Sequence, residues 1–591
     1  MTLASATTPM FVFGCKTSSS DEAPPSKPFN FPNLFPKNDK SNSTEPTTEP
    51  SSSVAPKSTP PPEDKERPVK EENATVGQPK RDQTLEAEVT SSLYDLSVVK
   101  AATEELQHLK KGSASESTEH EMRTAPLITR EAFVAAGFKD RVVQYGVLGE
   151  TLSIQSKSGV HVPIDPRLYI NTNAPFSAVV CGVQGSGKSH TVSVLLENMF
   201  ILGQGSIGSL DYALSGLVLH FGEGGPGSRP CEAAWVGASS QPDVQPPRVK
   251  VYVSRSSLHT MKSVYAPLGD RVRVVPLLFN ESELDAQAIL SMMAVGSSES
   301  APLYIQIVLS ILRDLGEKFS YKAFLTRLEA EKRSFNPAQA AGLEQRLALL
   351  NSFMEPQAPP QSRSTSKKSK SRRFSEGKLT IIDLSDPFID PASACGLFEI
   401  VTRLFVRADV GTGKVLVVDE AHKYLSASRG AAGLTNALLT LTREQRHLGM
   451  RVIISTQEPT VIPPVLMDLC TVAIMHRFSS PAWWDHLARH VATDVSSDQG
   501  FETVVKLKTG EALVLAPSGL GVFPDDECCA KEKPGATDSG KQCAKENAPL
   551  KLAQFGRRFL LMKTRARITK DGGASVLVLG SESETKGSDD E

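Results

Sequence analysis

The sequence predicts an α/β protein with a mostly parallel central sheet, and three observations predict it. From about Pro175 onward, short continuous apolar runs recur: "FSAVVCG", "LSGLVLHFG", "VKVYV", "RVRVVPLLF", "KLTIIDLS", "KVLVVDE", "MRVIIST" and "CTVAIMH". Between them lie longer stretches with apolar residues at helical spacing, such as "APLYIQIVLSILRDLGEKF". The strands are apolar throughout instead of alternating, which is the pattern of a sheet buried on both faces by crossover helices.

The remaining segments follow from composition. The chain has 591 residues, enough for two or three domains, but its opening quarter reads as unfolded, so one large domain with tails is expected. Residues 1–125 form a mostly disordered tail rich in Ser, Thr, Pro, Lys and Glu, which buries too little apolar surface to offset its ordering entropy. Within it, "MFVFG" and "FNFPNLFP" read either as short docking motifs for protein partners or as sparse apolar residues. Leu93, Leu96, Val99, Leu106 and Leu109 fit an amphipathic helix over 93–111. Residues 126–355 make the first part of the core, opening with β-rich runs at Arg141–Asp165 that read as a small strand cluster. The basic insertion 356–376, "QSRSTSKKSKSRR" at its centre, is either a nuclear-import signal or a solvated loop. Residues 377–525 are the second part of the core, 526–550 a polar loop, 551–575 a basic element and 576–591 an acidic tail.

Charge and cysteine usage narrow the function classes. Lysine plus arginine number 65 against 67 acidic residues, a net charge of −2, so the chain as a whole has no electrostatic pull toward nucleic acid or anionic lipid, and any such contact is local. The eight cysteines contain no Cys-x-x-Cys pair, which argues against a disulfide framework or a zinc site and for a reducing compartment. No apolar run approaches the roughly 18 residues of a membrane helix, and the N-terminus has no basic leader. The expectation is a soluble nuclear or cytoplasmic protein with no membrane partner.

The chemistry begins at "AVVCGVQGSGKSH", Ala178–His190. Gly182, Gly187, Lys188 and Ser189 fit G-x-x-x-x-G-K-[ST] between an apolar strand and an amphipathic helix, the context a phosphate loop requires. Glycines let successive backbone N–H groups at Gly182, Val183, Gln184, Gly185, Ser186 and Gly187 turn toward phosphate oxygens, and the helix start through His190 adds its positive end. Lys188 then reaches the β- and γ-phosphates of ATP, and the Ser189 hydroxyl ligates Mg2+. In "KVLVVDEAHKYL" a buried strand delivers Asp419 and Glu420 at its C-terminal end. Asp419 is expected to hold the metal through water and Glu420 to act as general base, with an N-cap as the structural alternative. A third strand, "MRVIISTQEP", ends in Ser455, Thr456 and Gln457, whose amide is suited to orienting water or sensing the γ-phosphate.

The ordered set "GVQGSGKS", "LTIIDLS", "VLVVDEAHKYL", "TREQRHLGMRVIISTQEP" and "LKTGEALVLAP" resembles the HerA/FtsK superfamily of RecA-like P-loop ATPases, and within it the HerA-like branch, over roughly residues 140–525. The resemblance implies a hexameric ring of identical chains that acts on DNA, with nucleotide at subunit interfaces and an arginine from the neighbour completing each site. The matching positions are Arg446 first and Arg443 second, with Arg477 a further candidate. It also implies channel loops that grip DNA, here the segment around Arg429. The basic stretch carrying Arg557, Arg558, Lys563, Arg565, Arg567 and Lys570 reads as either a second phosphate-binding surface or an exposed structural strand. Two other readings remain: a nucleotide-gated switch or scaffold without DNA activity, and a two-lobed DEAH-type helicase, which the wide motif spacing disfavours.

Overall fold

The computed structural model describes residues 114–573, apart from 138–141, 158, 294–302, 357–372, 426–431, 491–495 and 525–549. The N-terminal segment with its aromatic islands and the helix expected at 93–111, the centre of the basic insertion, Arg429, the polar loop and the acidic tail lie outside the described residues.

Eight strands form the parallel core, numbered here in chain order: β1 Ser177–Cys181, β2 Ser215–His220, β3 Arg248–Val253, β4 Val272–Pro276, β5 Lys378–Asp383, β6 Lys414–Val418, β7 Met450–Thr456 and β8 Val472–His476. Their spatial order is β4-β3-β5-β2-β6-β7-β1-β8, every neighbour parallel. β1, β6 and β7 are buried along their whole length. Alternate residues feed two separate cores. Val179, Leu217, Leu416 and Ile454 pack on one face, and Ala178, Val218, Val417 and Ile453 on the other. The first face is covered by helices including Leu303–Leu315 and Pro391–Arg407, the second by Lys188–Phe200. Fully burying each Val, Leu or Ile is worth on the order of 1.5–3 kcal/mol, against about 1 kcal/mol for the whole span of strand propensity. Two-sided burial therefore dictates these strands. This is the mostly parallel α/β sheet that the apolar runs predict.

Beyond β8 the sheet turns antiparallel through Glu511–Leu515, Phe559–Thr564, Tyr145–Ser156 and Arg167–Asn171. Leu127–Thr129 then pairs with both Arg167–Asn171 and Leu520–Pro524, and the latter with Leu550–Gln554. The small strand cluster read from Arg141–Asp165 is thus completed by strands from the far end of the sequence. A third core beneath it gathers Ile128, Phe133, Tyr169, Leu520 and Val522. The rings of Phe133, Tyr145 and Tyr169 meet with centroids 4.9–5.3 Å apart, in the tilted and edge-on contacts aromatic quadrupoles favour.

The basic C-terminal stretch turns two of its arginines inward. Arg565 Nη1 donates to Glu197 Oε2 at 2.6 Å and Arg567 Nη1 to Glu232 Oε1 at 2.7 Å. Glu197, fully buried on the helix Lys188–Phe200, also accepts from the backbone of Ile568 and Thr569 and from the Thr569 hydroxyl. A carboxylate buried this deeply is tolerable only with such saturation of its oxygens, so Arg565 and Arg567 serve as internal counter-charges. No helix among the described residues is long and apolar enough to cross a membrane.

Candidate functional site

The glycine turn predicted from sequence sits between β1 and the helix Lys188–Phe200. Gly182, Gly185 and Gly187 have φ of 146°, 75° and 114°, backbone that side-chain-bearing residues avoid. Two of them are also crowded by neighbouring atoms. A Cβ on Gly182 would meet His476 Cβ at 2.7 Å, and one on Gly187 would meet the Gly510 backbone nitrogen at 3.0 Å. Gly510 donates its N–H to the Ser186 carbonyl at 3.0 Å, and Val183 donates to the Arg477 carbonyl at 3.0 Å. The turn is held from both sides while Gln184 and Gly185 at its tip are exposed. Ser186 is buried, with its hydroxyl donating to the Val183 carbonyl at 2.7 Å.

Lys188 folds back over this turn and donates from Nζ to the Val183 carbonyl at 3.2 Å. Burial pulls its ammonium below the ordinary lysine range, while the charges of Glu420 and Asp419 pull it back toward it. The lysine therefore feels both acids. Ser189 is half-buried on the first turn of the helix. His190 turns away from the glycine turn, its Nε2 bonding the Arg565 carbonyl at 2.8 Å.

Sheet order brings the acids and the lysine together. β7 lies between β6 and β1, with Val418 opposite Ile454, Ile454 opposite Val179 and Thr456 opposite Cys181. The C-terminal tips of all three strands, carrying Asp419-Glu420, Gln457 and the glycine turn, thus share one end of the sheet, the end at which ligands bind in open α/β folds. Asp419 is buried and paired with His220, whose Nδ1 lies 3.1 Å from Oδ2. Burial raises the Asp419 pKa, but the bond and charge from His220 outweigh it and hold the carboxyl below its usual range. Burial likewise opposes charge on His220, yet the Cys231 sulfur and Asp419 keep its pKa well above 6.5. Tyr424, fully buried, fixes the tip of β6 by donating to the Asp419 carbonyl at 2.9 Å.

Glu420 has φ 50° and ψ 43°, the one non-glycine residue with positive φ among the described residues. Backbone strain of this kind collects at functional sites. Its Oε2 accepts from Gln457 Nε2 at 3.0 Å and lies 3.3 Å from His422 Nε2. His422 Nδ1 accepts the Gln457 N–H at 3.4 Å, so the proton belongs on Nε2, facing Glu420. Both contacts fall on one oxygen and leave Oε1 outside them.

Arg443 and Arg446 are exposed at and just beyond the end of the helix Ala432–Glu444, ahead of β7. β7 has seven residues, and at about 3.3 Å each it separates these arginines from their own glycine turn by roughly 20 Å. Arg477 is exposed beside its own turn.

Sequence reasoning missed His220, Cys231, His422 and His476. His476 is buried beneath Gly182, its Nδ1 bonding the Glu511 carbonyl and its Nε2 the Thr191 hydroxyl, both at 2.9 Å. A carbonyl can only accept, so Nδ1 carries the proton and Nε2 accepts from Thr191. Desolvation pushes its pKa down to about 4. Its signal lay in the sequence: a histidine closing an apolar strand, as His220 also does.

No family model and no curated protein matches the sequence. Solved structures do. The genome packaging NTPase B204 of Sulfolobus turreted icosahedral virus 2, in complex with AMP, aligns over 58% of this chain and 92% of its own at 12% identity, with a TM-score of 0.24. VirB4 of Thermoanaerobacter pseudethanolicus aligns over 63% and 93% at 12% identity, TM-score 0.35. The bacterial conjugative coupling protein TrwBΔN70 aligns over 73% and 96% at 11% identity, TM-score 0.33.

Proposed function

We propose that this chain is an ATP-hydrolysing motor of the HerA/FtsK type that works as a ring of identical copies. The observation that carries the reading is the shared end of β1, β7 and β6, where Lys188, Gln457 and the Asp419-Glu420 pair converge. The glycine turn supplies backbone N–H groups for phosphate oxygens. Lys188 exchanges its weak bond to the Val183 carbonyl for the γ-phosphate, a stronger charged acceptor. Ser189 and Asp419 are oxygen donors that fit Mg2+ and would hold it, and the ion would supply positive charge to offset that of the phosphates. Glu420, held through Oε2 by Gln457 and His422, keeps its other oxygen to take a proton from the attacking water. Arg446, too far from its own turn, is suited to reach the site of the next copy in the ring and stabilise charge on the transferring phosphoryl group.

DNA is the proposed track. A second reading, a nucleotide-gated switch without DNA activity, is favoured by the internal pairing of Arg565 and Arg567, which withdraws two cations from any phosphate-binding face. ATP turnover measured with and without duplex DNA across a salt series separates the two. Stimulation at low salt that collapses at moderate salt supports the motor. Turnover indifferent to DNA at every salt concentration supports the switch.

A further inference from the structure

Against Asp419 lie two buried donor groups, His220 and Cys231, that nucleotide chemistry leaves unused. His220 closes β2, Cys231 precedes the short turn Glu232–Gly237, and Asp419 follows β6. His220 Nδ1 is 3.1 Å and Cys231 Sγ 3.8 Å from Oδ2 of Asp419, and all three donor atoms fall within 4.8 Å of one another. Around a tetrahedral ion with bonds of about 2.0 Å to nitrogen and oxygen and about 2.3 Å to sulfur, donor separations are about 3.3 Å for N to O and about 3.5 Å for S to O. The observed contacts to Asp419 differ from those by only a few tenths of an ångström.

We propose that His220, Cys231 and Asp419 form a binding site for a borderline-soft divalent cation of the zinc type, distinct from the Mg2+ that accompanies nucleotide. The donor set decides the class: Mg2+ takes oxygen ligands in octahedral geometry, whereas thiolate with imidazole selects zinc, cadmium or cobalt. The surroundings orient the ligands. The Cys231 N–H donates to the Tyr265 hydroxyl at 2.9 Å, and that hydroxyl donates to Asp383 Oδ2 at 2.6 Å, an outer layer of the sort that fixes metal ligands in place. The side chains of His220 and Asp419 remain 13% and 10% exposed, an edge through which the ion enters and a water takes the fourth position. On binding, the Cys231 thiol and His220 Nδ1 each release their proton to solvent. The ion then holds the carboxylate that ATP hydrolysis needs, so occupancy stops turnover. That consequence rests on the hydrolase reading; the binding does not.

The test is absorption of the purified full chain titrated with Co2+ in the absence of nucleotide. A folded wild-type protein is expected to develop a thiolate-to-cobalt charge-transfer band, bleached by one equivalent of Zn2+. Cys231→Ser should lose the band and weaken Zn2+ binding by at least about tenfold, while Cys395→Ser, which alters another buried thiol, keeps it. Absence of the band in wild type, or an unchanged band in Cys231→Ser, overturns the site whatever the ATPase result. In parallel, micromolar Zn2+ should inhibit wild-type turnover and spare Cys231→Ser. A spectrum that appears as expected in a protein without ATPase activity leaves the metal site standing and removes the hydrolase reading alone.

Discussion

The side-chain amide of Gln457 donates to Oε2 of Glu420 at 3.0 Å, joining the tip of β7 to the residue that follows Asp419. The contact couples the strand facing the glycine turn to the proposed base. Gln457→Ala removes the amide and leaves His422 as the remaining partner of Oε2. Turnover is expected to fall about 10- to 100-fold, with ATP affinity within a few-fold of wild type by equilibrium binding. An unchanged turnover number would show that the amide does not position Glu420.

The left-handed backbone at Glu420 costs stability that the fold supplies elsewhere. Among inactive variants at this position, Glu420→Gly should be more stable than Glu420→Ala by about 1 kcal/mol, since glycine adopts φ 50° without Cβ strain. Denaturant unfolding of the two measures this directly. Equal midpoints would mean that the backbone relaxes when the carboxylate is lost.

The parts of this site visible in the sequence were those with local signals. Three apolar runs, each ending in a polar tip, announced β1, β6 and β7 and their Lys188, Asp419 and Gln457, because a strand buried on both faces leaves an unmistakable composition. His422 lay inside a quoted motif, but its bond to Glu420 depends on the turn Ala421–Lys423 and not on spacing alone. Cys231 sits in a connection with no periodicity, and only folding brings it to His220. The antiparallel layer was hidden for a related reason. Tyr145–Ser156 pairs with Phe559–Thr564 across nearly the whole core, and nothing local specifies such a partner. Arg565 and Arg567 looked like a solvated basic face until Glu197 and Glu232 were found beneath them.

His476 gives a pH signature. Its folded pKa, about 4, lies below the roughly 6.5 of an unfolded histidine. Between those values the unfolded chain binds the extra proton, so stability rises with pH there. The contribution is complete above about pH 6.5 and lost as pH falls toward 4, on the order of 3 kcal/mol over the window. His476→Asn should flatten this part of the stability profile, measured by denaturant unfolding across pH 4–7. An unaltered slope would mean that another group dominates.

A shared site can be tested by mixing two inactive chains. Arg446→Ala keeps an intact glycine turn, and Lys188→Ala keeps an intact arginine. Combined in one ring they should recover part of the ATPase activity, highest at intermediate ratios. No recovery at any ratio, with mixed assembly verified by mass, would remove Arg446 from the neighbour's site.

The convergence of Lys188 with the acid pair is tested most directly by ATP binding and turnover of Glu420→Gln, with Lys188→Ala as reference. The account predicts that the glutamine variant binds ATP within a few-fold of wild type and hydrolyses it about 10²- to 10⁴-fold more slowly, while the alanine variant fails to bind. Full turnover by Glu420→Gln would contradict it.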